Sequence, residues 1–169
     1  MFVDLYTKRQ FIVIAKRCDM STYTQLLYQV VFGTKDYTPF LSKENEDLLF
    51  SYNAGILKAK SCHSYIVGGA SNHVHIITHL HPSLAPANVV KDIKLASHKM
   101  ILQNRKLYLH FTGWQVGYSA FTYHISSKIS LINYVENQRE HHKINSYKEE
   151  LQKLLKEHSL DYKDEYLIT

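Results

Sequence analysis

Residues 72–77 read Asn72-His73-Val74-His75-Ile76-Ile77, and this stretch decides the architecture. Successive side chains of a strand point to opposite faces. His73 and His75 therefore share one face, and Val74 and Ile76 enter a core on the other. The strand is expected to run from His73 to His81, where Pro82 and then Pro86 end it. Two imidazoles side by side on a rigid strand make half of a metal site. A metal held there can draw on a phosphate oxygen and stabilise the charge that develops during attack. His79 and His81 would join the same face if the strand stayed regular, so a four-histidine zinc face competes; Pro82 speaks against it. In a chain with 11 histidines, a chance His-x-His pair is the plain alternative.

Around this strand the pattern alternates between strands and helices. Thr22 to Phe32 is rich in Tyr, Thr and Val and reads as a strand. Leu48, Leu49, Tyr52, Ile56 and Leu57 then recur at helical spacing up to Lys60, with Ser42 as N-cap and Asn45 in the capping-box position. Ser64 to Val67 is a second strand, and Gly68-Gly69 reads as a bend or bulge. Asn88 to Gln103 forms a helix with Val89, Ile93, Ala96 and Met100 on one face. Tyr108 to Phe121 holds aromatic strand material around Trp114-Gln115-Val116-Gly117-Tyr118. A helix capped by Ser126 or Ser127 runs to His142, and a last one spans Ser146 to His158 with Tyr147, Leu151, Leu154 and Leu155 inward. This order makes an α+β fold with a central antiparallel sheet covered by helices.

The second chemical signal is Asn133-Tyr134-Val135-Glu136-Asn137-Gln138. Positions i and i+4 of a helix stand one turn apart on one face, so Tyr134 and Gln138 project together. Ile125, Ile129, Ile132 and Val135 form the neighbouring apolar stripe. A tyrosine at its edge can reach a cleft, and a glutamine carbonyl oxygen is a third ligand for a hard cation such as Mg²⁺ or Mn²⁺. Against this stands a semi-buried tyrosine beside a surface glutamine. Glu140-His141-His142 reads mainly as charge and capping at a helix C-terminus.

Composition bounds the rest. The 169 residues suffice for one domain with a core, 45% of them hydrophobic and 21% charged. The net charge of +5 suits a polyanionic partner, or solubility alone. No apolar run approaches the roughly 20 residues that span a bilayer. The apolar run Phe11–Ala15 is too short for a signal-peptide core. Cys18 and Cys62 match no metal spacing and read as free thiols, so a reducing cytoplasm is expected. Met20 precedes the first patterned strand, which makes residues 1–19 an N-terminal extension and 20–169 the domain.

Together these stretches resemble the single-tyrosine HUH transposases of small bacterial insertion sequences, with the REP-associated tyrosine transposases as relatives. The resemblance spans about Ser21 to Leu167. It is carried by Thr22-Tyr23-Thr24-Gln25, by Asn72-His73-Val74-His75, and by Val90-Lys91-Asp92-Ile93-Lys94 leading into Ser97-His98-Lys99. Further on it is carried by Trp114–Tyr118 with Phe121, by Tyr134–Gln138 with Glu140-His141-His142, and by Tyr147-Lys148-Glu149-Glu150. Asn72 stands where Asp is more often expected.

The resemblance implies a ferredoxin-like fold and a homodimer in which the tyrosine helix of one subunit can complete the other's site. It implies His73, His75 and Gln138 as ligands of a divalent metal, Mg²⁺ or Mn²⁺, and Tyr134 as nucleophile. The substrates implied are single-stranded transposon ends folded into hairpins, cut and rejoined through a 5′-phosphotyrosine. Lys91, Lys94 and Lys99 are the candidate DNA contacts, with a solvated helix face as the alternative. Tyr118 or Trp114 could stack on a base, although core packing suits both. Two other readings remain open: a domesticated hairpin DNA- or RNA-binding protein without cleavage, and a metal-dependent phosphodiesterase using activated water.

Overall fold

The computed structural model describes residues 23–142 and 144–167. The expected extension 1–19, with Cys18, lies outside the described residues. Four strands, Leu27–Gly33 (β1), His63–Ala70 (β2), His73–His79 (β3) and Ser119–Tyr123 (β4), form one sheet in the order β2-β3-β1-β4. Every neighbouring pair is antiparallel. Helices Glu46–Ala59 (α1) and Pro86–Gln103 (α2) connect β1 to β2 and β3 to β4. This strand order and connectivity make the sheet ferredoxin-like, as the resemblance implied. Beyond β4 come Lys128–Glu136 (α3), Gln138–His141 (α4) and Tyr147–Glu157 (α5).

Both faces of the sheet are covered. Val30, Phe32, Val74 and Ile76 pack with Leu49, Leu57, Val89, Val90, Ile93, Met100 and Ile101 from α1 and α2. On the opposite face Leu27 and Ile77 meet Leu131 and Val135 of α3, while Val31 and Phe121 meet Tyr147, Leu151, Leu154 and Leu155 of α5. The two-faced reading of β3 therefore holds, and the histidine face is itself roofed by helices. His73 and His75 have no exposed surface.

Several local expectations are corrected. Gly68 and Gly69 do not bend the chain; they pair regularly with His75 and Val74, and the irregularity of β2 lies between Ser64 and Ile66. Gly68 serves close packing instead, since a Cβ there would sit 2.6 Å from Val135 Cγ1. Trp114–Tyr118 is not a strand. Trp114 makes one isolated bridge to Thr34, and its ring meets Phe32, Phe40 and Phe111 edge-on. Aromatic density here reflects core packing, not strand pairing. The expected helix to His142 breaks at Asn137, between α3 and α4. Its buried stripe is Leu131 and Val135, whereas Ile129 is exposed. β3 ends at His79, so His81 leaves the histidine face and turns its ring to Ser83.

Candidate metal and nucleophile site

The site forms where β3 passes beneath α3, α4 and α5. The two-residue Ser71-Asn72 turn joins β2 to β3 and sets the register that puts His73 and His75 inward. Asn72 then orients the first imidazole. Its Nδ2 donates to the Tyr37 carbonyl at 3.1 Å, which turns its Oδ1 toward His73 Nδ1, 2.9 Å away. The imidazole proton therefore sits on Nδ1, and Nε2 presents a lone pair. A carboxylate at position 72 could accept from the ring but could not donate to Tyr37, which accounts for Asn in place of the expected Asp. His73 also stacks flat on Tyr147, with ring centroids 4.4 Å apart.

Glu150 is the hub of the cluster. It lies on α5 and is 2% exposed. Its Oε2 is 2.9 Å from His142 Nε2 and 3.4 Å from His73 Nε2, and its Oε1 is 3.3 Å from His75 Nε2. The Tyr134 hydroxyl and Gln138 Nε2 both donate to Oε1, the latter at 2.9 Å. Gln138 Oε1 lies 3.2 Å from His73 Nε2. The projection of Tyr134 and Gln138 to one place, expected from their i to i+4 spacing, survives the helix break at Asn137. One chain alone brings Tyr134 to the histidines, with the Tyr134 and His75 rings 5.8 Å apart. Beside Tyr134 opens a cleft of about 260 Å³ lined by Gln29, Tyr123, Ser130 and Lys153 among others.

The electrostatics follow from burial. Desolvation, with the neighbouring His75, holds the His73 pKa well below 6.5, so its ring is neutral. Burial alone would raise Glu150; the imidazoles of His142 and His75 on its two oxygens outweigh it and keep the carboxyl well below its usual range. Burial and the Glu150 charge raise the Tyr134 phenol above its ordinary value.

This donor set fits a cation. With its proton on Nδ1, His73 presents its Nε2 lone pair to Gln138 Oε1 at 3.2 Å and to Glu150 Oε2 at 3.4 Å. His75 Nε2 is buried and makes no hydrogen bond, although it lies near Glu150. Among the described residues, His73, His142 and Glu150 form the group that could hold a metal ion, their ligand atoms lying within 4.8 Å of one another. His79 and His81 do not join it.

The sequence family described as "Transposase IS200 like" matches residues 22–138, more than half of the chain. The chain belongs to this family. The transposase also superposes on a crystal structure from Deinococcus radiodurans R1, described there as a candidate transposase. The TM-score is 0.54 at 22% identity, over 70% of this chain and 95% of that one, a likeness of fold. No curated protein matches the transposase significantly.

Sequence reasoning missed two residues of the cluster. Adjacent histidines diverge on a helix, so the sequence alone places His142 with charge and capping at a helix end. In the structure α4 has ended by His142, and its Nε2 points to Glu150. Glu150 carried a usable signal. It falls on the inward face of α5 with Tyr147, Leu151 and Leu154, and a lone carboxylate on an apolar face calls for a partner.

The lysines of α2 differ among themselves. Lys94 is partly buried, and its Nζ donates to the Gln115 and Gly117 carbonyls. Burial lowers its pKa to about 8. Lys91 and Lys99 are exposed. Lys91 borders a groove of about 590 Å³ between α2 and the 112–118 loop, shared with Lys35, His98 and Tyr118. Trp114 is held in the core, its Nε1 donating to Ser97 Oγ at 3.1 Å. No helix among the described residues is long and apolar enough to cross a membrane.

Proposed function

We propose that this transposase cuts and rejoins single-stranded DNA at hairpin-marked transposon ends, through a covalent link between Tyr134 and a DNA 5′ phosphate. One observation carries the reading: the Tyr134 hydroxyl reaches the same buried cluster as His73, His75 and Gln138, beside an open cleft. A phenol on this spot adjoins the candidate metal ligands, which an ordinary semi-buried tyrosine does not.

Tyr134 Oη attacks the scissile phosphorus, and the bond to the 3′ oxygen of the upstream nucleotide breaks. The tyrosyl proton passes to solvent water, and the departing 3′ oxygen takes up a proton from water to become a free 3′-OH. Attack by another strand's 3′-OH on the phosphotyrosine reverses the chemistry and joins the strands. The bond energy is kept in the phosphotyrosine, so no nucleotide cofactor is consumed. His73, His75 and Gln138 would hold a divalent cation, Mg²⁺ or Mn²⁺, which supplies charge stabilisation at phosphate oxygens. Asn72 fixes the tautomer of His73, and Tyr147 fixes its ring plane. Burial and the Glu150 charge, to which the Tyr134 hydroxyl donates, keep the phenol protonated at rest.

The groove between α2 and the 112–118 loop suits nucleic acid, since cations and an exposed aromatic ring sit together there. Lys91 and Lys99 would meet phosphates, and Lys94 would shape the groove by holding its loop. The working form is a homodimer, which brings two ends together.

Tyr134→Phe tests the reading against both alternatives. It should abolish strand cleavage and joining while hairpin binding persists. Full cleavage by this variant favours a water-using phosphodiesterase. Hairpin binding by the wild type with no cleavage at all favours a non-cleaving binder. His75→Ala should lose metal-dependent cleavage.

A further inference from the structure

The family match ends at Gln138, yet two groups of the buried cluster come from beyond it: His142 and, on α5, Glu150. Three imidazoles approach this carboxylate in the same way. Each turns Nε2 inward to Glu150, and each has Nδ1 tied on its outer side. His73 Nδ1 meets Asn72 Oδ1 at 2.9 Å, His142 Nδ1 meets the Asn145 carbonyl at 2.8 Å, and His75 Nδ1 meets the Gln29 side-chain amide at 3.1 Å. The first two contacts keep a proton on Nδ1, so Nε2 is the atom left to bind a cation once any proton between it and Glu150 is displaced. The third does the same if the Gln29 amide is turned end for end, which leaves it paired to the Tyr123 hydroxyl. Outer amides and carbonyls that fix tautomer and ring orientation are the supports that metal-binding histidines use.

We propose that Glu150 and His142 are ligands of the cation, so that the C-terminal helix completes a centre of three imidazoles and one carboxylate. This rests on the reading of His73 and His75 as ligands and extends it. The chemistry of the donors then sets the preference. Imidazole nitrogens suit zinc, cobalt and related transition cations, whereas Mg²⁺ favours oxygen ligands and keeps its waters. Of Mg²⁺ and Mn²⁺ the centre therefore favours Mn²⁺, and other transition cations with it, with Gln138 Oε1 at its edge.

The local sequence is built to deliver Glu150. Ser146 caps α5 with a reciprocal capping box: its side chain accepts from Glu149 N, and Glu149 answers at the Ser146 backbone N–H at 2.8 Å. This starts the helix so that Tyr147, Glu150, Leu151 and Leu154 face the sheet. The apolar members pack, and the carboxylate lands among the histidines. A buried ion-pair network with one shared proton would use the same contacts but would show no metal selectivity.

The test uses the full chain stripped with a chelator and titrated separately with Zn²⁺, Mn²⁺ and Mg²⁺ in a calorimeter. The wild type should bind one Zn²⁺ per chain, with Mn²⁺ weaker and Mg²⁺ weakest. Glu150→Gln and His142→Asn should each weaken Zn²⁺ binding by roughly tenfold or more. Pulsed electron paramagnetic resonance of the Mn²⁺ form should show three coupled imidazole nitrogens, and two in His142→Asn. If Glu150→Gln fails to fold, His142→Asn at the cluster's edge carries the test. Wild-type affinity in both variants, with binding lost in His75→Asn, overturns this inference and leaves the two-histidine site standing. Absence of binding by the wild type for all three cations overturns both.

Discussion

The Tyr134 hydroxyl donates its hydrogen bond to the Glu150 carboxylate, joining the family-matched region to the helix that follows it. Glu150 also accepts from Gln138 and faces His73, His75 and His142. A buried carboxylate with this many partners is costly to unpair. Glu150→Ala leaves the Tyr134 hydroxyl and the Gln138 amide without their acceptor and opens a cavity. It should destabilise the fold by about 1–3 kcal/mol for each donor left unpaired, read as a lower midpoint in urea unfolding. Glu150→Gln keeps the shape and should cost less.

Gly68 should prove sensitive to a single methyl group. A Cβ at this position would meet Val135 Cγ1 at 2.6 Å and the Val135 carbonyl oxygen at 3.3 Å. Val135 adjoins Tyr134 on α3, so the clash would push the tyrosine helix off the sheet. Gly68→Ala should cost about 1–3 kcal/mol by chemical denaturation. It should also reduce DNA cleavage more than hairpin binding. Cleavage unchanged from the wild type would show that the position of α3 tolerates movement.

Arg139 follows Gln138 and fixes α4 to α1 through a two-nitrogen contact with Glu46 Oε2. Both side chains are partly exposed, so water screens the pair. A double-mutant cycle with Arg139→Gln and Glu46→Gln should give a coupling of about 1 kcal/mol, falling as salt rises. Arg139→Gln alone should lower cleavage by loosening Gln138.

Lys94 sets a pH dependence of stability. Its folded pKa is about 8, against an ordinary 10.5, because its ammonium is partly desolvated. Above pH 10.5 both states are neutral at this site, and burial costs nothing in charge. As pH falls toward 8, the unfolded chain takes up the proton first, so stability is lost; below 8 the loss is complete and constant. Lys94 should therefore contribute a rise in unfolding free energy from about pH 8 upward, read below about pH 10 where the raised tyrosines do not yet oppose it, and Lys94→Met should flatten that rise.

The α2 lysines should separate in DNA binding. Lys91→Ala removes an exposed cation at the groove and should reduce the salt slope of single-strand binding by about 0.7. Lys94→Ala should weaken binding without that change in slope, because its charge already serves two carbonyls of the loop. Equal slope changes in the two variants would place Lys94 on phosphate.

Much of the scaffold was legible in the chain. Alternation placed His73 and His75 on one face, since a strand's period is local. The i to i+4 spacing of Tyr134 and Gln138 gave their shared direction, and the inward face of α5 was read correctly from Tyr147, Leu151, Leu154 and Leu155. Relations between distant segments were not legible. Glu150 meets His75 from 75 positions away, and no local period encodes that encounter. Gly68 and Gly69 look like a bend because glycine is permissive. Their use here is close approach, by α3 at Gly68 and by the His73 backbone at Gly69. Trp114 looked like strand material because aromatic side chains favour strands and cores alike.

The most direct measurement is the site of covalent attachment. Wild-type protein is incubated with divalent cation and a pool of single-stranded oligonucleotides carrying randomised hairpins, labelled at the 3′ end. Denaturing electrophoresis followed by peptide mass spectrometry locates any adduct. The account predicts a labelled protein band, with the nucleotide on the peptide that contains Tyr134, and no band from Tyr134→Phe. Attachment at another residue, or cleavage by Tyr134→Phe at the wild-type rate, would contradict it.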